Sequence, residues 1–185
     1  MRQELKLKSN DIILTYVAEL NDNKNQIFLI QSLKELIKEN NKYKLLLVGE
    51  GANKEKYIEE MKKEKLGANL RILGKRTDVA KILSITDIYV ASSIREGLGM
   101  NIIEAMYMNV PVIATNNRGH REIIKDGENG FLVNSNKELN VRIKELSKEC
   151  IVREKIILKG KEDCKKYFLE NTLKQMKEIY EEIVK

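Results

Sequence analysis

Two glutamates and a pair of closely spaced glycines carry the clearest chemistry in this chain. In SIREGLGMNIIEAMYMNVPVIAT, Ser93 to Thr115, the turn Glu96-Gly97-Leu98-Gly99 opens an apolar helix that bears Glu104 and leads into a short Val/Ile strand. Gly97 and Gly99 allow a tight turn and a close approach of backbone to ligand. Met100 and Asn101 then begin the helix, so its unpaired amide N–H groups and positive dipole end face an anion, which is a phosphate-binding geometry. Glu104 is flanked by Ile102, Ile103, Ala105 and Met106. An unpartnered carboxylate among apolar side chains is costly, so Glu104 is expected to be a buried acid satisfied by the hydroxyl donors of a polyol.

The elements that must hold these residues alternate between buried strands and helices. Asp11 to Ala18, Tyr43 to Val48, Asn69 to Leu73, Asp87 to Ala91, Val112 to Ala114 and Phe131 to Val133 read as short apolar strands of a parallel sheet covered on both faces. Helices are predicted over Ile27 to Asn40, with Ile27, Phe28, Ile30, Leu33, Leu36 and Ile37 on one face, and over Lys54 to Lys65 and Val79 to Ile85. Asp22 or Asn23 is available to cap the first. Asn109 follows the Glu104 helix and suits the left-handed conformation that ends helices. Asn116 to Glu122 (NNRGHRE) reads as a polar loop containing the sole histidine, His120, and Asp126 to Gly130 as turn chemistry. From Lys137 to Lys185 the pattern is helical throughout. The fold class is therefore α/β: a Rossmann-like open parallel sheet of about six strands with helices on both faces, followed by C-terminal helices.

A length of 185 residues suits one domain with a substantial core, not two of ordinary size. No apolar run approaches the roughly 20 residues of a membrane span. MRQELKLKSND has no signal-peptide core, which predicts a cytoplasmic protein. The net charge of +6 comes from lysines scattered over helix surfaces. A solvated surface is the plain reading, and an electrostatic attraction for nucleotide phosphates or an anionic membrane surface is the alternative. With aromatics at 5% and no recognised module, nucleic-acid binding is not expected. Cys150 and Cys164 lack metal-ligand or redox spacing and read as reduced structural thiols. Gly49-Glu50-Gly51 follows a strand, but position 54 is lysine, so the glycine fingerprint of an NAD-dependent oxidoreductase is incomplete.

Glu96 and Glu104 are separated by seven residues, and YVAELNDNKNQ, LLLVGEG, LRILGKRTDV, TDIYVASS and DGENGFLV occur in order around them. This pattern resembles the E-x7-E signature and collinear motifs of GT-B, family 4 retaining glycosyltransferases of bacterial polysaccharide synthesis, from about Ile12 to about Val133. The resemblance implies the C-terminal half of a two-domain enzyme: residues 1–10 as a linker remnant, expected to be frayed or a short helix, 11–170 as the nucleotide-sugar-binding domain, and 171–185 as a helix crossing to an N-terminal acceptor domain. It implies a nucleoside-diphosphate sugar, most simply a UDP-sugar, as donor, and peripheral association of the full enzyme with the inner face of a membrane.

The resemblance also assigns roles. Lys24 and Glu96 would be the catalytic pair, Lys24 neutralising the diphosphate and Glu96 meeting the donor sugar. Gly97, Leu98, Gly99, Met100 and Asn101 would hold the diphosphate, Glu104 the ribose, and the backbone of Gly74 and Lys75 the base. Ala18-Glu19 stands where most members have Gly-Arg, so Glu19 either points away or meets sugar or acceptor, with Arg95 or Arg118 compensating. His120 and Arg118 are candidate sugar or acceptor contacts. The chain has no Asp-x-Asp, and amides and lysine already supply positive charge, so neither metal nor cofactor is expected. A non-catalytic nucleotide-binding module needing a partner domain would share these features.

Overall fold

The computed structural model describes residues 1–183. Six strands, β1 Ile12–Val17, β2 Tyr43–Val48, β3 Leu70–Ile72, β4 Ile88–Ala91, β5 Val112–Thr115 and β6 Phe131–Val133, form one sheet in the order β3-β2-β1-β4-β5-β6. All adjacent pairs are parallel. The helices are α1 Gln26–Glu39, α2 Lys54–Lys63, α3 Val79–Leu83, α4 Met100–Tyr107, α5 Arg118–Ile123, α6 Asn136–Lys148, α7 Cys150–Cys164 and α8 Leu169–Ile183. Strand order runs outward from β1 through β2 to β3 and from β4 through β5 to β6, so the direction of winding reverses between β1 and β4. At such a switch point the loops leaving the two strands diverge and open a crevice.

The near-continuous apolar strands are explained by a sheet covered on both faces. Leu14, Tyr16, Leu45 and Leu47 pack with Leu29, Leu33 and Leu36 of α1. Their alternates Ile13, Leu46 and Val48 pack with Leu5, Leu7 and Ile82 of α3. Each leucine so enclosed contributes about 2 kcal/mol of transfer free energy, and the strands become a rigid base for the loops at their carboxyl ends.

Several boundaries differ from the sequence reading. Helix α1 begins after Asn25, which takes a left-handed φ of 50° and makes no side-chain cap bond, so neither Asp22 nor Asn23 is the cap. Its enclosed face uses Leu29 with Ile30, Leu33 and Leu36, while Ile27, Phe28 and Ile37 are only half-buried. Strand β3 is shorter than expected because Asn69 turns its side chain onto the carbonyls of Asn41 and Tyr43. Asn109 does adopt a left-handed φ of 60° at the end of α4.

Residues 1–10 are neither a short helix nor frayed. They form turns in which Leu5 and Leu7 are buried, and the Arg2 guanidinium donates to the carbonyls of Lys8, Asp11 and Ile85 and to the carboxylate of Asp87. At the other end α8 starts at Leu169 and contains no buried residue. Leu169, Leu173, Met176, Ile179, Tyr180 and Ile183 are all exposed along it. The last two residues of the expected 171–185 helix lie outside the described residues.

Candidate functional site

Lys24 and Glu96 meet at the crevice between β1 and β4. Lys24 lies in the loop after β1 and Glu96 in the loop after β4, and Nζ of the lysine donates to Oε2 of the glutamate at 2.6 Å. Ser93 Oγ donates to the same oxygen at 3.1 Å, and Tyr16 Oη lies 2.8 Å from Ser93 Oγ. Burial disfavours the charged form of Glu96. The Lys24 ammonium and the Ser93 hydroxyl overcome that burial, helped by the nearby His120, and hold the carboxyl below its usual range.

The two loops are stitched by a residue that the sequence reading had placed only as a cap. Asn23 accepts from the amide of Ile94 through its carbonyl and from that of Arg95 through Oδ1, while its Nδ2 donates to the Arg95 carbonyl. Ser92 Oγ donates to the Lys24 carbonyl. Lys24 is therefore fixed by its backbone as well as its ion pair.

The start of α4 has the expected spare amides. The N–H groups of Leu98, Gly99 and Asn101 make no hydrogen bond among the described residues, whereas that of Met100 is turned back onto the Leu98 carbonyl. The reason for glycine differs from the expected tight turn, because neither Gly97 nor Gly99 has positive φ. A Cβ on Gly97 would meet nothing within 4 Å, so open space lies above it. Leu98 and Met100 project outward, and the Asn101 side chain is committed to the protein, donating to the Val17 carbonyl at 2.9 Å and accepting from the Ile102 amide. Strict steric demand beside this turn falls on Gly119 of α5, where a Cβ would fall 2.2 Å from the Glu96 carbonyl oxygen and 2.6 Å from that of Gly97.

Glu104 is not the buried acid expected from its neighbours in sequence. It is exposed, because Ile102, Ile103, Ala105 and Met106 occupy the inner face of α4 and leave position 104 on the outer one. There it lines a cleft of about 330 Å³ with Thr77, Val79, Ala80, Leu83, Tyr107 and Met108. Gly74 and Lys75 lie in the loop between β3 and α3, and Gly74 takes a φ of 69°. Glu50, ion-paired with Lys54, reaches over Gly74. Gly49 is under a steric demand of its own, since its Cβ would sit 2.0 Å from the Ala18 carbonyl oxygen. Glu19, Lys75, Arg95 and Arg118 are exposed. The structure thus gathers Lys24, Glu96 and the 97–101 turn into one cluster and sets Glu104 on a cleft of its own, while Glu19, Gly74, Lys75 and Arg118 make no hydrogen bond or salt bridge to the ion pair among the described residues.

NNRGHRE forms helix α5 instead of a loop: the Asn117 side chain accepts from the His120 amide and caps it. His120 is buried, with Nδ1 2.6 Å from the Thr115 carbonyl oxygen, so Nδ1 carries the proton. Burial lowers its pKa against the opposing pull of that carbonyl and of Glu96. Sequence reasoning missed Tyr16, Ser93, Asn117 and Gly119. A lone tyrosine in an aliphatic strand and a serine three residues before Glu96 were the available signals.

Comparison with known proteins finds relatives of the chain. The family described as "Glycosyl transferases group 1" matches residues 1–163. EpsD of Bacillus subtilis, a protein named as a glycosyltransferase, is 39% identical over 184 residues, covering 97% of this chain and 48% of its own length. An Escherichia coli UDP-Gal:alpha-D-GlcNAc-diphosphoundecaprenol alpha-1,3-galactosyltransferase is 32% identical over 139 residues, covering 71% of this chain and 35% of its own. The crystal structure of Anabaena HepE in complex with UDP and glucose superposes with a TM-score of 0.86 at 24% identity, over 99% of this chain and 50% of that one. The chain thus spans about half or less of the length of the curated relatives it matches.

Proposed function

Because this chain belongs to the group 1 glycosyl transferase family, we propose that it is the donor-binding domain of a retaining, family 4 enzyme that moves a sugar from a UDP-sugar to a glycan or lipid-linked acceptor in cell-surface polysaccharide synthesis. The observation that carries the reading is the Lys24–Glu96 pair beside three unpaired amides at the sheet's switch point. Those amides and the α4 dipole suit a diphosphate. Lys24 shares its charge with the phosphates as the donor arrives and stabilises the negative charge that develops when the nucleotide leaves. Glu96 accepts hydrogen bonds from the donor sugar. Glu104, open to its cleft, accepts from ribose hydroxyls, and the Gly74-Lys75 loop meets the base. The name of the Escherichia coli relative and the UDP bound to HepE support a uridine donor.

An acceptor-binding half supplied by other sequence completes the enzyme in this reading, since the chain spans 48% of EpsD. A nucleotide-binding module that works with a separately encoded partner is the second reading, favoured by the same coverage. No helix among the described residues is long and apolar enough to cross a membrane, and the proposed setting is the cytoplasm or the inner face of its membrane.

Calorimetric titration of the chain with UDP and, in parallel, with NADH tests the assignment. UDP should bind and NADH should not, and the reverse would overturn it. Adding an N-terminal acceptor domain in trans and assaying sugar transfer then separates the enzyme from the module.

A further inference from the structure

We propose that Ser93, backed by the buried hydroxyl of Tyr16, is the positioning residue for Glu96, the two forming a one-way hydrogen-bond relay that holds one carboxylate oxygen and presents the other to the donor sugar. The proposal rests on the donor-binding reading above. Its direction follows from counting protons. An ionised carboxylate only accepts, and a serine hydroxyl has a single proton. Ser93 spends that proton on Glu96 Oε2 at 3.1 Å, so the 2.8 Å contact with Tyr16 is one in which Tyr16 donates.

Tyr16 is suited to be a fixed donor. It is 1% exposed, its ring stands edge-on to Tyr89 at 6.3 Å between centroids, and burial pushes its phenol well above the ordinary range, so the proton stays on. Ser93 is held from the other side, because its carbonyl accepts from Thr115 Oγ1 at 2.6 Å and from Asn117 Nδ2 at 2.8 Å. Lys24 and Ser93 both bind Oε2, and Oε1 has no hydrogen-bond partner among the described residues. A sugar hydroxyl finds Oε1 open. When phosphate draws on Lys24, the relay still fixes the carboxylate, and coupled hydrogen bonds of this kind strengthen one another in a low-dielectric setting.

The test is a titration of the Glu96 carboxyl by carbon-13 NMR in the whole chain, where its titratable neighbours are Lys24 on the loop after β1, Tyr16 on β1 and His120 on α5. Ser93→Ala should raise the Glu96 midpoint by about one pH unit, the loss of one charge-assisted hydrogen bond. Tyr16→Phe, which keeps the ring and serves should Ser93→Ala fail to fold, should raise it by less. The double variant should match Ser93→Ala alone, because Tyr16 acts through Ser93. Shifts that add, or a midpoint unmoved while only the melting temperature falls, would overturn the relay. UDP and a panel of UDP-sugars are titrated alongside. Ser93→Ala should weaken the tightest UDP-sugar about fivefold and spare UDP, and equal weakening of both would overturn its role toward the sugar. If wild type binds no UDP, the donor reading fails while the NMR result still decides the relay.

Discussion

Gly119 lies so close beneath Glu96 that any side chain there would enter the glutamate's carbonyl: a Cβ would stand 2.2 Å from that oxygen and 2.5 Å from its carbon. Helix α5 is thereby pressed directly against the turn that carries the acid, and the cluster at the switch point depends on a residue that has no side chain.

Gly119→Ala should consequently push the Glu96-Gly97 turn away from α5. Overpacking against backbone costs about 1–3 kcal/mol. Urea denaturation should show a loss of that size, and UDP binding should weaken further than the lost stability accounts for. An unchanged denaturation midpoint would mean the turn is free to move.

Lys24→Met keeps the aliphatic stem and removes the ammonium. Glu96 then keeps burial and loses its strongest support, so its pKa should rise. UDP affinity should fall by about 2–3 kcal/mol, a charge-assisted contact with phosphate. Uridine, which has no phosphate, should bind wild type and variant alike, and calorimetry with both ligands reads the difference.

Glu104→Gln should weaken UDP by about 1–3 kcal/mol if the ribose contact is charge-assisted. Because Glu104 is exposed, the melting temperature should stay the same. Titration with 2′,3′-dideoxy-UDP supplies the control, since a ligand without the hydroxyls should not distinguish the variant from wild type.

His120 predicts an acid limb in stability. Burial lowers its pKa in the fold, whereas the unfolded imidazole titrates near about 6.5. Below that value the unfolded chain takes up the proton first, so stability should fall with pH from about 6.5 down to the folded pKa and be flat above pH 7. Urea midpoints measured from pH 5 to 8 should show this slope, and His120→Gln should flatten it.

Leu173→Gln with Ile179→Gln should leave the unfolding midpoint within about 0.5 kcal/mol of wild type, as surface changes do. Both side chains are exposed on α8, which buries none of its residues. A large loss in thermal denaturation would show that α8 packs against the domain.

How much could be read beforehand depends on the range of the interaction. The strands were legible because burial on both faces demands near-continuous apolar runs, as at Leu45, Leu46 and Leu47, whichever neighbours they pair with. The left-handed Asn109 was legible because the requirement is local to one residue. The spare amides after Gly97 followed from the helix start itself.

What only the folded chain decided lies in contacts between residues far apart in sequence. Lys24 and Glu96 are 72 positions apart, and nothing along the chain says that they form an ion pair, or that Tyr16 reaches Glu96 through Ser93. Glu104 was misjudged because its sequence neighbours are apolar; on a helix, adjacent residues point to different sides, and the environment is set by the face. His120 and Gly119 were read as loop residues because a short helix capped by Asn117 has too few residues to show a period. Local conformational and burial demands are written residue by residue, whereas the site exists only where the winding reversal at β1 and β4 brings two distant loops together.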